Sequence, residues 1–220
     1  MSLKIGIDVG GTFTDFFVDQ AGHDTRIHKT LSTPSDPSIA VIQGLTDIAE
    51  AMTPPMTLEE LAANLDTIVH GTTVTTNATL TSNGAKCGLI TTEGLRDALE
   101  MRRGIREEQY NNRCTNVVPL VPRYLRRGVG GRLDRNGQEI APLSLDDVRA
   151  AIDLFKAEEV KAVSICFMNS FANGDHEKQA AELVRELMPE AYLTVSSELL
   201  PSIRFYERVS TTALNSYIGP

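Results

Sequence analysis

The opening stretch from Leu3 to Gln20, LKIGIDVGGTFTDFFVDQ, constrains the fold more than any other. Ile5, Ile7 and Val9 alternate along Leu3–Val9, the period of a half-buried strand. Gly10-Gly11 turns the chain into a second β-rich run, Phe13–Asp19. Gln20–Asp24, which carries Gly22, is another turn, and Thr25–Leu31 reads as a third strand. The spacing predicts a three-stranded antiparallel meander, which pure doubly wound folds lack.

After the meander the period lengthens. Ile39–Met52 places Ile39, Ile42, Leu45, Ile48 and Ala49 at helical spacing before Pro54-Pro55 stops it. Thr57-x-x-Glu60 is a capping-box signature for a helix over Leu58–Leu65. Thr67–His70 reads as a short buried strand ended by Gly71. Thr72–Ser82 reads as a helix despite its poor threonine-rich propensity, and Lys86–Thr91 as a strand. A further helix is expected over Glu93–Met101. The last third alternates again: helix Leu145–Glu158 behind Ser144, strand Lys161–Phe167, helix Asp175–Leu187, strand Tyr192–Ser196 and a final helix over about Ile203–Tyr217. A meander followed by alternating helices and strands predicts an α/β fold with a mixed sheet covered on both faces.

Arg102–Arg132 has no clear period and reads, with the hairpin that follows, as an insertion over about 102–140. Arg135-Asn136-Gly137-Gln138 signals that hairpin, with Asn-Gly suited to a type I′ turn. From Arg96 to Arg135 there are ten arginines, no lysine and five acids, a local excess of five positive charges in a chain whose net charge is -8. Two readings fit: a solvated segment whose arginines pair with nearby acids, or a loop facing an anion or a partner. Overall acidity disfavours general affinity for nucleic acid or an anionic membrane. No stretch approaches the ~20 apolar residues that span a bilayer, and the N-terminus lacks a signal-peptide pattern, so a cytoplasmic location is expected. Cys87, Cys114 and Cys166 are too scattered for a disulfide framework or a zinc knuckle. Cys87 and Cys166 sit in apolar runs and are expected to be buried.

Three motifs bear on chemistry. Asp8-Val9-Gly10-Gly11-Thr12-Phe13-Thr14-Asp15 lacks the lysine of a P-loop and joins strand to strand, so neither the P-loop nor the dinucleotide fingerprint fits. Its glycines suit an anion nest, with Thr12 and Thr14 as hydroxyl donors and Asp8 as a carboxylate for a hydrated divalent cation. The alternative is a plain tight hairpin, which has no need of Asp8, Thr12, Thr14 and Asp15 clustered around it. His70-Gly71-Thr72-Thr73 feeds a strand end into a helix start, a second place for an anion at Gly71, Thr72 and Thr73, or merely an N-cap. His70 is either a general acid or base or a strand-end histidine satisfied by backbone. Asp175-His176-Glu177 lacks the second histidine of a metalloprotease and reads as structural.

Taken together, IGIDVGGTFTD (Ile5–Asp15), KTLSTPSDP (Lys29–Pro37), HGTTVTTNATL (His70–Leu80), GLITTEGLRDALEMRR (Gly88–Arg103), His176-Glu177 and SSELLPSIRFYERVSTTALNSYIGP (Ser196–Pro220) resemble the N-terminal domain of the hydantoinase A and oxoprolinase proteins. That family includes subunits of acetone and acetophenone carboxylases. The resemblance implies an actin-like ATPase (ribonuclease H-like) half. In such proteins two domains close over ATP and Mg²⁺, Asp8–Thr14 serves as the first phosphate loop and Asp8 lies near the metal. It implies Gly10, Gly11, Thr12 and Thr14 as phosphate donors, with Asp15 a weaker candidate for positioning the attacking group.

Members of the family are longer, so the chain is expected to be a fragment lacking the second ATPase domain, with Met1-Ser2-Leu3 a cloning remnant. The implied activity is ATP-dependent opening of a cyclic amide through phosphorylation of its oxygen, with a second catalytic subunit or C-terminal domains of the same chain as partner. The alternatives are a subunit of an ATP-dependent ketone carboxylase and a non-catalytic assembly module.

Overall fold

The computed structural model describes residues 2–104, 108, 110–115 and 117–220. Met1 at the supposed cloning remnant, and Arg106 and Glu107 of the arginine-rich segment, lie outside the described residues. The chain divides into two compact units, Met1–Asn83 and Gly84–Pro220.

In the first unit the meander forms as read. Strand β1 (Leu3–Val9) pairs antiparallel with β2 (Phe13–Gln20), and β2 pairs antiparallel with β3 (Arg26–Leu31). Helix α1 (Pro37–Glu50) starts two residues before the expected Ile39. Proline is favoured at the first helical position, and the Asp36 carboxylate accepts the Ser38 N–H at 3.0 Å. Helix α2 (Leu58–Asn64) carries the complete capping box: Thr57 and Glu60 each accept the other's backbone N–H, at 3.2 and 2.8 Å. Strand β4 (Thr67–Thr72) pairs parallel with β1, which gives a mixed sheet of order β3-β2-β1-β4. Helix α3 (Val74–Leu80) follows it.

The core of this unit lies on one side of its sheet. Ile5, Ile7, Val9, Phe16 and Val18 pack with Leu45 and Ile48 of α1, Leu61 of α2 and Met52 between the two helices. Two expectations fail here. The sheet was to be covered on both faces, but Phe17 and Ile27 on the other face are exposed. The strand beginning at Thr67 was to be buried, and all six residues of β4 are exposed. Its apolar run signals a surface that wants covering, and that is satisfied by burial only when something lies over it.

The second unit carries a separate, all-parallel sheet in the order β10 (Tyr192–Val195), β9 (Ala162–Cys166), β5 (Cys87–Thr92) and β6 (Arg126–Val129), where the sequence suggested one sheet. Strands β5 (Cys87–Thr92) and β9 (Ala162–Cys166) are buried at every position, as parallel strands enclosed on both faces should be. Helix α4 (Ala98–Met101) is one turn, shorter than the helix expected from Glu93. Gly94 has a φ of 83° and sits in a turn closed by Leu95 N–H on the Thr92 carbonyl at 3.0 Å.

Strand β6 (Arg126–Val129) falls inside the segment read as an insertion, yet it pairs with β5. Arg126 concealed it. Its guanidinium is buried, donating to the Val121 carbonyl at 3.0 Å and to the Glu100 carboxylate at 3.1 Å. Arg123 holds Asp97 bidentately, at 2.9 and 3.0 Å, and draws its carboxyl below the usual range; Arg103 pairs with Glu207 at 2.8 Å. Pairing with neighbouring acids thus accounts for these arginines.

Strands β7 (Arg132–Leu133) and β8 (Glu139–Ala141) form the Asn-Gly hairpin, but not with a type I′ turn. The Gly137 N–H bonds the Asp134 carbonyl at 3.1 Å, and Gly137 (φ 83°) is the turn's one positive-φ residue, the pattern of a type I turn closed by a glycine bulge.

Helix α5 (Leu145–Ala157) sets Phe155 against Gly88, where a β-carbon would lie 2.6 Å from the ring. Helix α6 (Asp175–Leu187), strand β10 (Tyr192–Val195), the single turn α7 (Ser196–Leu199) and helix α8 (Phe205–Ile218) complete the unit. The second core gathers β5, β9, α5, α6 and α8, and Cys87 and Cys166 are buried in it as expected. Among the described residues, no helix is long and apolar enough to cross a membrane.

Candidate functional site

The candidate site lies wholly in the first unit, where the parallel strands β1 and β4 end side by side with Val9 opposite Thr72. The carboxyl ends of parallel strands in α/β sheets are where ligands are received. Beyond Val9 the chain must reverse at once, and Gly10 permits it. Its N–H bonds the Phe13 carbonyl at 3.0 Å, and a β-carbon there would stand 2.8 Å from that same oxygen. Neither Gly10 nor Gly11 has a positive φ, so close approach to backbone, not strain, calls for glycine at Gly10, whereas Gly11 faces only the tip of the Asn77 side chain.

Ser32 clamps the turn from the end of β3. Its hydroxyl donates to the Gly10 carbonyl at 2.8 Å, and its N–H bonds the Thr12 carbonyl at 2.9 Å. On the other flank the Thr73 N–H and the Thr72 hydroxyl both reach the Val9 carbonyl, at 3.1 and 3.3 Å, which fixes the start of α3 against β1. Asn77 on α3 then approaches Gly11, and its amide donates to the Thr73 hydroxyl at 3.3 Å. Among the described residues, the Gly11 and Thr12 N–H groups have no protein acceptor.

These elements enclose a cavity of about 250 Å³, lined by Val9, Gly10, Gly11, Ser32, Thr33, Pro34, Pro37, Val74, Asn77, Ala78, Thr81 and Asn83. That is below the ~300–1,000 Å³ typical of whole small-molecule sites, a size for part of a nucleotide. Pro37 brings the N-terminal end of α1 to the wall. The first amides of that helix are already engaged, Ser38 with the Asp36 carboxylate and Ala40 with the Thr33 hydroxyl at 3.3 Å, so the helix contributes its dipole and not free donors. Hydrogen bonds from the Ser38 hydroxyl and amide hold the Asp36 carboxyl below its ordinary range.

The residues singled out in the sequence separate into three groups. Gly10 and Gly11 line the cavity, with Thr12 exposed on the same turn. Thr14 is fully buried and its hydroxyl meets that of Ser32 at 3.0 Å, so it supports the turn from beneath. Gly71, Thr72 and Thr73 form the adjoining β4–α3 junction without lining the cavity. Thr72 belongs to the strand, not to the helix expected from it, and Thr73 is an N-cap whose hydroxyl accepts the Asn77 side-chain amide but no backbone N–H of the helix. Asp8 and Asp15 pair across β1 and β2 on the opposite face of the sheet from Val9 and Thr14. Asp15 meets Lys29 at 3.0 Å, whereas Asp8 is exposed without a side-chain partner among the described residues. His70 is exposed on β4 opposite Ile7. No cluster of three or more His, Cys, Asp or Glu suited to a metal occurs among the described residues.

Ser32, Thr33 and Asn77 are the site residues that motif reading missed. They stand inside KTLSTPSDP and HGTTVTTNATL, blocks that carried the resemblance, and nothing in their local spacing marks them as facing Gly11.

The family described as hydantoinase/oxoprolinase N-terminal region matches residues 4–188. The chain is 40% identical to caprolactamase subunit alpha of Pseudomonas jessenii, over 99% of this chain and 31% of that protein. It is 34% identical to the acetophenone carboxylase gamma subunit of Aromatoleum aromaticum, over 98% of this chain and 31% of that protein. The crystal structure of the ATP-dependent caprolactamase from Pseudomonas jessenii superposes with a TM-score of 0.89, covering 99% of this chain and 31% of that one. Nucleotide-free acetone carboxylase gives a TM-score of 0.85 at 30% identity, covering 99% and 32%. The chain therefore spans about a third of the length of these relatives.

Proposed function

The chain belongs to the family of hydantoinase/oxoprolinase N-terminal regions, and from that premise we propose that it is the phosphate-binding part of a longer, ATP-dependent enzyme that opens cyclic amides in the cytoplasm. The observation that carries this reading is the cavity where Gly11 meets Asn77 beside the unengaged Gly11 and Thr12 N–H groups. Unengaged backbone donors around a glycine cradle suit phosphate oxygens.

Bound ATP would supply the phosphoryl group that turns an amide oxygen into a leaving group. Gly11 and Thr12 hold phosphate oxygens through their N–H groups, with the Asn77 amide at the cavity wall. Ser32 and Thr14 keep the turn in shape. Magnesium is commonly bound through one or two carboxylates with most of its waters retained, so a three-carboxylate cluster is not required. Asp8, exposed and without a side-chain partner among the described residues, is the carboxylate offered to such a hydrated ion. Asp15, engaged by Lys29, and His70, exposed at the strand edge, are the remaining candidates for positioning or proton transfer at the reacting group. The caprolactamase and acetophenone carboxylase relatives are named as subunits, which supports a second catalytic subunit as partner.

A second reading, a subunit of an ATP-dependent ketone carboxylase, is favoured by the similarity to the acetophenone carboxylase gamma subunit. Turnover assays of the full-length protein with its partner subunit decide between them. ATP hydrolysis stimulated by a lactam, a hydantoin or 5-oxoproline supports the first reading. Stimulation only by a ketone with bicarbonate supports the second. In the same protein Asp8→Ala should lower turnover, and an unchanged rate removes Asp8 from the metal site.

A further inference from the structure

The sheet of the first unit ends in two edges of opposite character. The β3 edge carries Arg26, His28 and Lys29, the charged residues with which natural sheets discourage further pairing. The β4 edge, Thr-Ile-Val-His-Gly-Thr, has no charged residue beyond a histidine, no proline and no bulge, and it is paired on one side only. Ile68 and Val69 are 49% and 66% exposed, on alternate faces of this strand. A parallel pair such as β1–β4 is normally enclosed on both faces.

The open face of the sheet continues this surface. Register places Val69 beside Gly6, Gly6 beside Phe17 and Phe17 beside Ile27, so one row crosses all four strands on the face away from α1 and α2. Phe17 is 50% and Ile27 68% exposed. Gly6 lowers the middle of the row, leaving Phe17 and Val69 to stand on either side of it. A contiguous apolar row that runs into an unblunted edge marks an interaction surface, unlike scattered surface apolar residues.

We propose that this row and the β4 edge are the docking surface for polypeptide C-terminal to residue 220 of the same full-length chain, which lays a strand beside β4 and apolar side chains over Val69, Phe17 and Ile27. The proposal rests on the reading that the natural protein is longer. Its relatives match this chain over only 31% of their length, as its N-terminal region, so a contiguous downstream segment is the occupant at hand. Because that segment is tethered, it meets the surface at high effective concentration, which suits a surface that would aggregate if left open.

Hydrogen exchange on the full-length protein tests this without substitution, since a strand beside β4 must protect its outward N–H groups. Protection throughout residues 67–72 is expected. A second measurement introduces Val69→Cys or Ile27→Cys in a background with Cys114 and any cysteine beyond residue 220 replaced by serine, Cys87 and Cys166 being buried. Maleimide labelling should be at least about tenfold slower in the native protein than in urea, as for a buried thiol. It should also be independent of protein concentration, and a photo-crosslinker at position 27 should capture residues beyond 220 of its own chain. Native labelling as fast as in urea overturns the proposal. Protection lost on dilution assigns the face to a second copy, and a crosslink to a different subunit assigns it there; either result also overturns it. The length of the natural protein is read separately by intact mass, so a chain of only 220 residues refutes the fragment reading on its own terms.

Discussion

Gly11 and Asn77, far apart in the chain, meet so closely that a β-carbon on Gly11 would stand 3.0 Å from the Asn77 amide nitrogen. The contact ties the glycine turn to α3, and the unengaged N–H groups lie on that turn. Gly11→Ala leaves the backbone unstrained and displaces only a side-chain tip, so stability should change by less than about 1 kcal/mol. Affinity of the full-length protein for ATP should fall about tenfold, or ~1.4 kcal/mol. Titration calorimetry beside urea denaturation checks both, and native affinity in the variant would separate this turn from phosphate binding.

The buried carboxylate of Glu177 supports a different prediction. It accepts the Phe167 N–H at 2.8 Å, the Ser170 and Ser196 hydroxyls at 2.7 and 2.6 Å, and the Ser197 N–H at 2.7 Å. Arg208 on α8 donates to Ser170 and to the Phe167 carbonyl. Both charged residues are fully buried and meet through Ser170, so Arg208→Met, which leaves the Phe167 carbonyl and the Ser170 hydroxyl without that donor, should cost about 1–3 kcal/mol. Glu177→Gln must turn an amide donor toward another donor and should cost about 1–3 kcal/mol. The double variant should lose less than the two single losses combined, because they share Ser170. Urea midpoints that simply add would show that the two side chains act independently.

Burial pushes the thiols of Cys87 and Cys166 up from 9.0 to about 12. In the native protein at about pH 8 they should resist iodoacetamide while the partly exposed Cys114 reacts. Because the folded state holds these protons more tightly than the unfolded state, their contribution to stability is complete below 9.0 and is lost as pH rises toward about 12. Denaturation at increasing pH should show that decline. Rapid labelling of all three cysteines without unfolding would contradict it.

Gly44 lies in α1 directly over Phe16, and a β-carbon there would fall 2.3 Å from the ring. Alanine improves helix propensity by about 1 kcal/mol, whereas overpacking a dense core costs about 1–3 kcal/mol. The packing term should win and lower the melting temperature of Gly44→Ala. A rise would mean that Phe16 moves aside at little cost.

The site was legible in part. The Gly10-Gly11 turn was picked out correctly as the point where β1 reverses, because a glycine pair between two alternating runs is a local signal. Its place next to that turn suggests Thr14 as a donor, but strand alternation sends it to the covered face, where it meets Ser32. His176-Glu177 was read as structural. The four hydrogen bonds to Glu177 bear this out and add what the reading lacked, namely the serines and amides drawn from two other segments, Phe167–Ser170 and Ser196–Ser197. The segment around Arg126 reads as an insertion because a buried strand that opens with two arginines defeats any hydrophobic pattern. The Glu100 and Asp97 carboxylates and the Val121 and Arg96 carbonyls make that burial tolerable.

What this sequence determined by itself was encoded within a few residues: the alternation of β1 and β2, the reversal at Gly10-Gly11 and the capping box at Thr57 and Glu60. These depend on side-chain period and backbone conformation, which a short window contains. The tertiary structure decided that the strands divide between two four-stranded sheets and the β7–β8 pair, that β4 stays exposed, and that Ser32 and Asn77 converge on Gly11. Each depends on which distant segments pair and in what register. Such pairings gain their free energy from burial and hydrogen bonding between residues that no local window brings together.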